Sequence, residues 1–125
     1  MKIINAEKAP KAIGPYSQAI IANNMLFASG QIALNPETMK ITGENVKAQA
    51  KLVLQNIQAI LNEAGLTKEN IVKTTIFLND MGDFAQVNEV YSEYFQDHKP
   101  ARSTIEVARL PLDALVEIEI VCVIS

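Results

Sequence analysis

The stretch NVKAQAKLVLQNIQAILNEAG (residues 45–65) sets the first element of the fold. Val46, Ala50, Val53, Leu54, Ile57, Ile60, Leu61 and Ala64 recur at three- and four-residue spacings, which places them on one stripe of a helix. Gly65 supplies the C-terminal cap, because glycine enters the left-handed conformation without a Cβ penalty. A helix with one apolar stripe must bury it against another layer, and the flanking sequence offers one.

Upstream, SQAIIA (17–22), Asn23-Asn24 and MLFASGQIAL (25–34) read as a β-hairpin, since asparagine tolerates the positive φ that a tight turn needs. Asn35-Pro36 ends its second strand. Downstream, NIVKTTIFL (70–78) is rich in β-branched residues and reads as a strand. DFAQVNEVYSEYFQDH (83–98) reads as a second amphipathic helix with Phe84, Val87, Val90, Tyr91, Tyr94 and Phe95 on its apolar face. Asp83 and Gln86 stand at capping-box spacing, Glu89, Glu93 and Asp97 follow i,i+4 spacing on the solvent side, and Lys99-Pro100 closes the helix. Two more strands are expected at about 102–108 and 115–124. The order hairpin, helix, strand, helix, strand, strand predicts an α+β fold, a mixed sheet with two helices packed on one face. Two helices cannot cover both faces, and the strands stay apolar at alternate positions. The second face is therefore expected to be buried by other copies of the chain, with a solvated face as the alternative.

The length of 125 residues predicts one domain spanning 1–125, and 49% hydrophobic with 20% charged residues is the composition of a globular protein. Eleven basic against fourteen acidic residues give a net charge of −3, with no polybasic run, so no nucleic-acid partner is expected. The longest apolar run falls short of the ~18 residues of a membrane span. The N-terminus MKIINAEKAP has no apolar core of the kind that directs secretion. A single cysteine, Cys122, excludes an intrachain disulfide. The expected compartment is the cytoplasm, with no membrane association.

Glycines at 14, 30, 43, 65 and 82 make neither a dinucleotide fingerprint nor a phosphate loop. One histidine and one cysteine do not make a zinc site, so neither metal nor organic cofactor is implied. His98, beside Lys99-Pro100, reads as an exposed structural residue, and Cys122, in a Val/Ile-rich strand, as a buried inert thiol. Arg102 is different. In HKPARSTIEVARLP (98–111) it follows Pro100-Ala101 at the mouth of a strand, where its planar fork matches a carboxylate. The alternative is a salt bridge to a neighbouring acid. Glu117 and Glu119 alternate onto one face of VEIEIVCV (116–123), which is either a solvated edge or a place for chemistry. Arg109 and Glu106 could pair on the surface. In the turns GPYSQ (14–18) and SGQ (29–31), Tyr16 offers a phenol, Ser29 a hydroxyl, and Gly30 a close approach of backbone to a ligand.

GPYSQA (14–19), ASGQIAL (28–34), DFAQVNEVYSEYF (83–95), KPARSTIEVARLP (99–111) and VEIEIV (116–121) stand in the order and spacing of the RidA/YjgF family, which the chain resembles over essentially its whole length. PARSTIEVARLP is the most diagnostic segment. The resemblance implies the chorismate-mutase-like α+β fold and a homotrimer whose three sheets close around a central barrel. It implies sites in the clefts between subunits, with no cofactor. The implied activity is hydrolysis of the reactive 2-imino acids 2-iminopropanoate and 2-iminobutanoate to 2-oxo acids and ammonia, which protects pyridoxal-phosphate enzymes from damage. Arg102 matches the arginine that clamps the substrate carboxylate. Glu117 matches the glutamate that orients or activates the attacking water. Tyr16, Ser29, Gly30 and Asn88 match pocket positions that contact ligand or its waters. Glu119 has no such match and is read as structural. Position 104 is threonine where many relatives carry cysteine. Thr104 still offers a hydroxyl to a ligand, but a thiol-based adduct there is put in doubt. Other readings are a trimer that only binds 2-oxo acids, needing Arg102 but not Glu117; a translation inhibitor or endoribonuclease, against which the net charge argues; and a holdase-like chaperone, to which nothing in the sequence points.

Overall fold

The computed structural model describes all 125 residues. Six strands, β1 (Lys2–Ile4), β2 (Ala19–Ala22), β3 (Met25–Ala28), β4 (Ile71–Leu78), β5 (Ala101–Glu106) and β6 (Val116–Val123), form one sheet in the order β1-β2-β3-β6-β4-β5. Helix α1 (Val46–Ala64) precedes β4, and helix α2 (Phe84–Phe95) connects β4 to β5. Those two strands pair in parallel while every other pair is antiparallel, so the sheet is mixed, as the element order predicts. A parallel pair needs a crossover, and α2 supplies it.

The hairpin turns at Asn23 (φ 51°) and Asn24 (φ 58°), both left-handed, which is the geometry a two-residue hairpin selects. Its second strand stops at Ala28, earlier than the alternation of 25–34 suggests. Pairing with β6 slips by one residue between Phe27–Val121 and the isolated bridge Gln31–Ile118, so Ser29-Gly30 form a bulge. Strand β1 was not expected; its three residues are too few to show a period of two.

Helix α1 begins where Asn45 Oδ1 accepts from the Ala48 amide at 2.9 Å, and ends at Gly65, φ 73°. Helix α2 is shorter than the 83–98 pattern. A turn of 3₁₀ helix at Met81–Asp83 runs straight into it, so Asp83 is already helical and caps nothing. The expected Asp83–Gln86 capping box does not form; Asp80 Oδ1 accepts from Gly82 N at 2.8 Å instead. The helix stops at Phe95, because Gln96 takes φ 56° ahead of Pro100.

Both helices pack on the face of the sheet that presents Ile71, Ile76 and Leu78 of β4 and Val116, Ile118, Ile120 and Cys122 of β6, all buried. Each such aliphatic side chain contributes about 1.5–3 kcal/mol by leaving water. Burial also pushes the Cys122 thiol up to about 11, which keeps it protonated and inert. His98 departs from expectation. It is half-buried, with Nε2 2.7 Å from the Ile71 carbonyl oxygen and its ring against Phe95. The opposite face carries Ile3, Phe27, Ile105 and Val123, each 40% exposed or more, and neither helix covers it.

The N-terminal segment is fastened by Gln18, which is only 3% exposed. Its Oε1 accepts from Ala6 N at 2.6 Å, and its Nε2 donates to the carbonyls of Ala6 (3.2 Å) and Pro10 (2.7 Å). Gln18→Ala strands those backbone groups in the interior. It is expected to cost about 2–4 kcal/mol in urea unfolding and to expose residues 6–10 to amide exchange. A loss below about 0.5 kcal/mol would show that the clamp carries no stability.

Candidate functional site

The residues singled out from the sequence fall into two separate clefts. Tyr16, Ser29, Gly30 and Glu117 line the first, of about 590 Å³, within the range of small-molecule sites. Its floor is the bulge. Ser29 N donates to the Gln18 carbonyl at 2.9 Å, and Ser29 Oγ to the Ser17 carbonyl at 2.6 Å, which ties the bulge to the GPYSQ turn. Gly30 is required for a reason beyond the approach of a ligand. A Cβ at position 30 would stand 2.8 Å from Glu117 Cδ and 3.0 Å from Cγ and overlap the carboxylate itself. The glycine thus makes room for the glutamate.

Glu117 is half-buried and belongs to no ion pair. Burial pushes its carboxyl above the ordinary range, and the like charge of Glu119, two residues along the same face, adds to the effect. Such a group binds its proton more tightly when folded. Its ionisation therefore costs stability as pH rises from the ordinary glutamate value through the raised one.

The second cleft, of about 420 Å³, is lined by Asn88, Tyr91, Gln96, His98, Lys99 and Arg102 among others. Pro100 fixes the arm that leads into β5, and the parallel register sets Arg102 beside Thr74. Arg102 Nη1 donates to Asn88 Oδ1 at 2.7 Å. Its guanidinium lies over the rings of Phe84 (5.2 Å) and Tyr91 (4.9 Å). Tyr91 is held in turn by its hydroxyl, 2.8 Å from Thr74 Oγ1. Burial raises the Tyr91 phenol, with the Thr74 bond and the Arg102 charge pulling the other way, so the ring stays neutral beneath the cation. Arg102 meets no carboxylate: the two ion pairs are Lys47–Glu89 and Arg109–Asp113. Within the single chain, the salt-bridge alternative for Arg102 is not realised. Arg109 and Glu106 do not pair with each other: Arg109 reaches Asp113 at 2.9 Å, and Glu106 accepts from Met81 N at 2.8 Å.

One chain does not bring the two clefts together. Arg102 pairs with Thr74 on the helix-covered face, whereas Glu117 pairs with Phe77 on the other face, with β4 between their strands. Thr104 shares the face of Arg102, beside Ile76, but lines neither cleft. Several lining residues escaped the sequence reading: Lys11, Ile13, Met39 and Leu112 in the first cleft, Gln96 and Lys99 in the second. Met39, Leu112 and Gln96 all have positive φ, and no glycine marks those turns in the sequence. No group of three or more His, Cys, Asp or Glu side chains converges where a metal ion could be held.

The electrostatics of Glu117 can be read through stability alone. Glu117→Gln removes the buried ionisation, so the variant should be more stable than wild type at pH 7. The difference should shrink on acidification and vanish below the ordinary glutamate value of about 4.3. Urea midpoints at both pH values measure this; a difference independent of pH would contradict the raised carboxyl.

The family model described as Endoribonuclease L-PSP matches residues 6–124. A RutC family protein of Synechocystis sp. is 60% identical over 126 residues, covering 99% of this chain and 97% of that one. The chloroplastic Reactive Intermediate Deaminase A of Arabidopsis thaliana is 52% identical over 118 residues, 94% of this chain and 63% of that one. Among solved structures, E. coli TdcF with bound serine superposes with a TM-score of 0.95 at 46% identity, covering 100% of both chains. With its mixed six-stranded sheet, its two helices and a match spanning nearly every residue, the chain belongs to the RidA/YjgF family.

Proposed function

We propose that the protein is a deaminase that hydrolyses small 2-imino acids, 2-iminopropanoate and 2-iminobutanoate, to 2-oxo acids and ammonia. Its sites are shared between copies of a homotrimer and sit in the cytoplasm, where removal of such imines protects pyridoxal-phosphate enzymes. One observation carries the reading. Arg102 is fixed by Asn88 and two aromatic rings yet has no carboxylate of its own, and Glu117, on the other face, has no cation. Each is half of a site. The names of two relatives agree with it, a reactive-intermediate deaminase and a protein holding serine, itself a small amino acid.

In this mechanism the fork of Arg102 from one copy binds the substrate carboxylate, and Tyr16, Ser29 and Glu117 of another surround the imine carbon. Glu117 takes a proton from water as its oxygen bonds to the carbon of the protonated imine, C=NH2+, and the C=N π pair moves onto nitrogen. The resulting carbinolamine receives that proton on nitrogen, which becomes NH3+. The C–N bond then breaks with its pair on nitrogen, ammonia leaves, and the hydroxyl proton passes to Glu117 as C=O forms; the released ammonia takes that proton as ammonium and restores the carboxylate. A raised carboxyl suits both halves of this cycle, since a weaker acid is a better base toward water and still releases its proton to an amine. Alignment of substrate and water supplies the rest. The apolar face with Ile3, Phe27, Ile105 and Val123 suits burial against other copies, three of which would give three equivalent sites. The family description would also suggest an endoribonuclease, but a net charge of −3 is poorly suited to a polyanion. No helix of the chain is long and apolar enough to cross a membrane.

An amino-acid oxidase that generates the imine, with semicarbazide trapping what survives, tests the proposal. Wild type should suppress semicarbazone formation. Arg102→Ala and Glu117→Ala should each lose about 100-fold or more in kcat/KM. Activity should fall on the acid side with a midpoint above the ordinary glutamate value, because protonated Glu117 cannot accept from water. Near-normal turnover by Arg102→Ala would sink the assignment. A wild-type protein that binds 2-oxobutanoate without hydrolysing imines would be a binding protein instead.

A further inference from the structure

The Glu117 half of the site carries more apolar lining than the hydrolysis of a three- or four-carbon imine uses. Ile13, Ile32, Leu34, Met39 and Leu112 share its walls with the polar set. Two of them are conspicuous: Ile13 is 71% exposed and Leu112 65%.

Leu112 is also held in an unfavourable backbone conformation. It has φ 55° and ψ 27°, and Asp113 follows at φ 55°. A leucine rarely adopts that region, because its Cβ crowds the carbonyl oxygen. Local contacts hold the turn: Arg109 Nη2 to Asp113 Oδ1 at 2.9 Å, and Asp113 N to the Leu110 carbonyl at 3.1 Å. Met39, on the same cleft, has φ 57°. Backbone strain of this kind gathers at ligand clamps, where the surroundings over-determine it. Here it keeps an aliphatic side chain in water at the edge of a carboxylate-bearing cleft.

We infer that Leu112 and Ile13 form a subsite for the substrate side chain, one that favours 2-imino acids with branched, extended apolar side chains over 2-iminopropanoate. The inference deepens the deaminase reading and rests on it for the identity of the reacting groups. With the carboxylate at Arg102 and the imine carbon beside Glu117, the remaining substituent is the side chain, and the apolar walls are what is left to receive it. Burial of both faces of that contact supplies the selectivity.

The test compares wild type, Leu112→Gly and Ile13→Ala on two imines made in situ, 4-methyl-2-iminopentanoate and 2-iminopropanoate. The readout is the ratio of their kcat/KM values, so a general loss of activity cancels. The same ratio is taken from calorimetric affinities for 4-methyl-2-oxopentanoate and pyruvate. Wild type should favour the larger member of each pair, and each variant should lower the ratio about tenfold. Leu112→Gly should melt no lower than wild type, since glycine accepts the positive φ. A ratio that neither variant moves overturns the subsite, as does dissociation of the assembly in Leu112→Gly, which would make the residue an interface contact. The two proposals fail separately. Hydrolysis of 2-iminopropanoate with an insensitive ratio keeps the deaminase and removes the subsite. Affinities that depend on Leu112 in a protein that hydrolyses neither imine keep the subsite and remove the deaminase.

Discussion

Successive side chains on a strand point to opposite faces of the sheet, and most of what this protein can do follows from that one constraint. In β6, Val116, Ile118, Ile120 and Cys122 face the helices and are buried, so Glu117 and Glu119 must face the other way. In β5 the register with β4 puts Arg102 and Thr104 on the helix face at the sheet's edge. Arg102, the proposed clamp for a carboxylate, and Glu117, the proposed base for a water, are thus on opposite sides of one chain. Neither can be moved without a one-residue slip that would also turn the core strands inside out. A site that uses both groups has to be assembled from two copies, and the bare apolar face offers the means.

The supports behind each group are built differently. Arg102 is exposed but ordered: a hydrogen bond to Asn88 Oδ1 fixes one end of the fork, and two aromatic faces hold its plane. The outward edge keeps unused donors for a ligand, and rotamer freedom is already spent before binding. Glu117 is placed by subtraction. The bulge at Ser29-Gly30 and the missing Cβ at position 30 open the volume its carboxylate fills, and partial burial with Glu119 nearby weakens it as an acid. Preorganisation on one side and destabilised charge on the other are the two contributions an undemanding hydrolysis asks for.

Much of this was legible in the sequence, because the strong periodicities and the turn chemistry agree with the tertiary structure. The α1 stripe, the Asn23-Asn24 turn and the α2 face each reappear in the fold. The division of the singled-out residues into two clefts, Tyr16, Ser29, Gly30 and Glu117 in one and Asn88 and Arg102 in the other, was not legible. What stayed hidden depends on contacts between distant segments. Gln49 and Asn56 look like solvent positions on α1, yet they are buried and bond the Leu115 amide and the Leu34 carbonyl. Gln18 stands inside a quoted motif without revealing that it clamps residues 6–10. The strained turns at Met39, Gln96 and Leu112 carry no local mark, because the surrounding packing imposes them. The 3₁₀ turn before α2 overrode an acceptable capping box for the same reason.

Whether the site is shared between chains is decided most directly by mixing two inactive variants. Arg102→Ala and Glu117→Gln proteins, each expected to have lost nearly all imine hydrolysis, are unfolded together and refolded as mixed oligomers. A shared site predicts that activity returns, to about a quarter of the wild-type value for random assembly, since an intact arginine of one copy then meets an intact glutamate of the next. A mixture as inactive as its parents, while wild type refolded in parallel recovers, would contradict it and place a complete site within one chain.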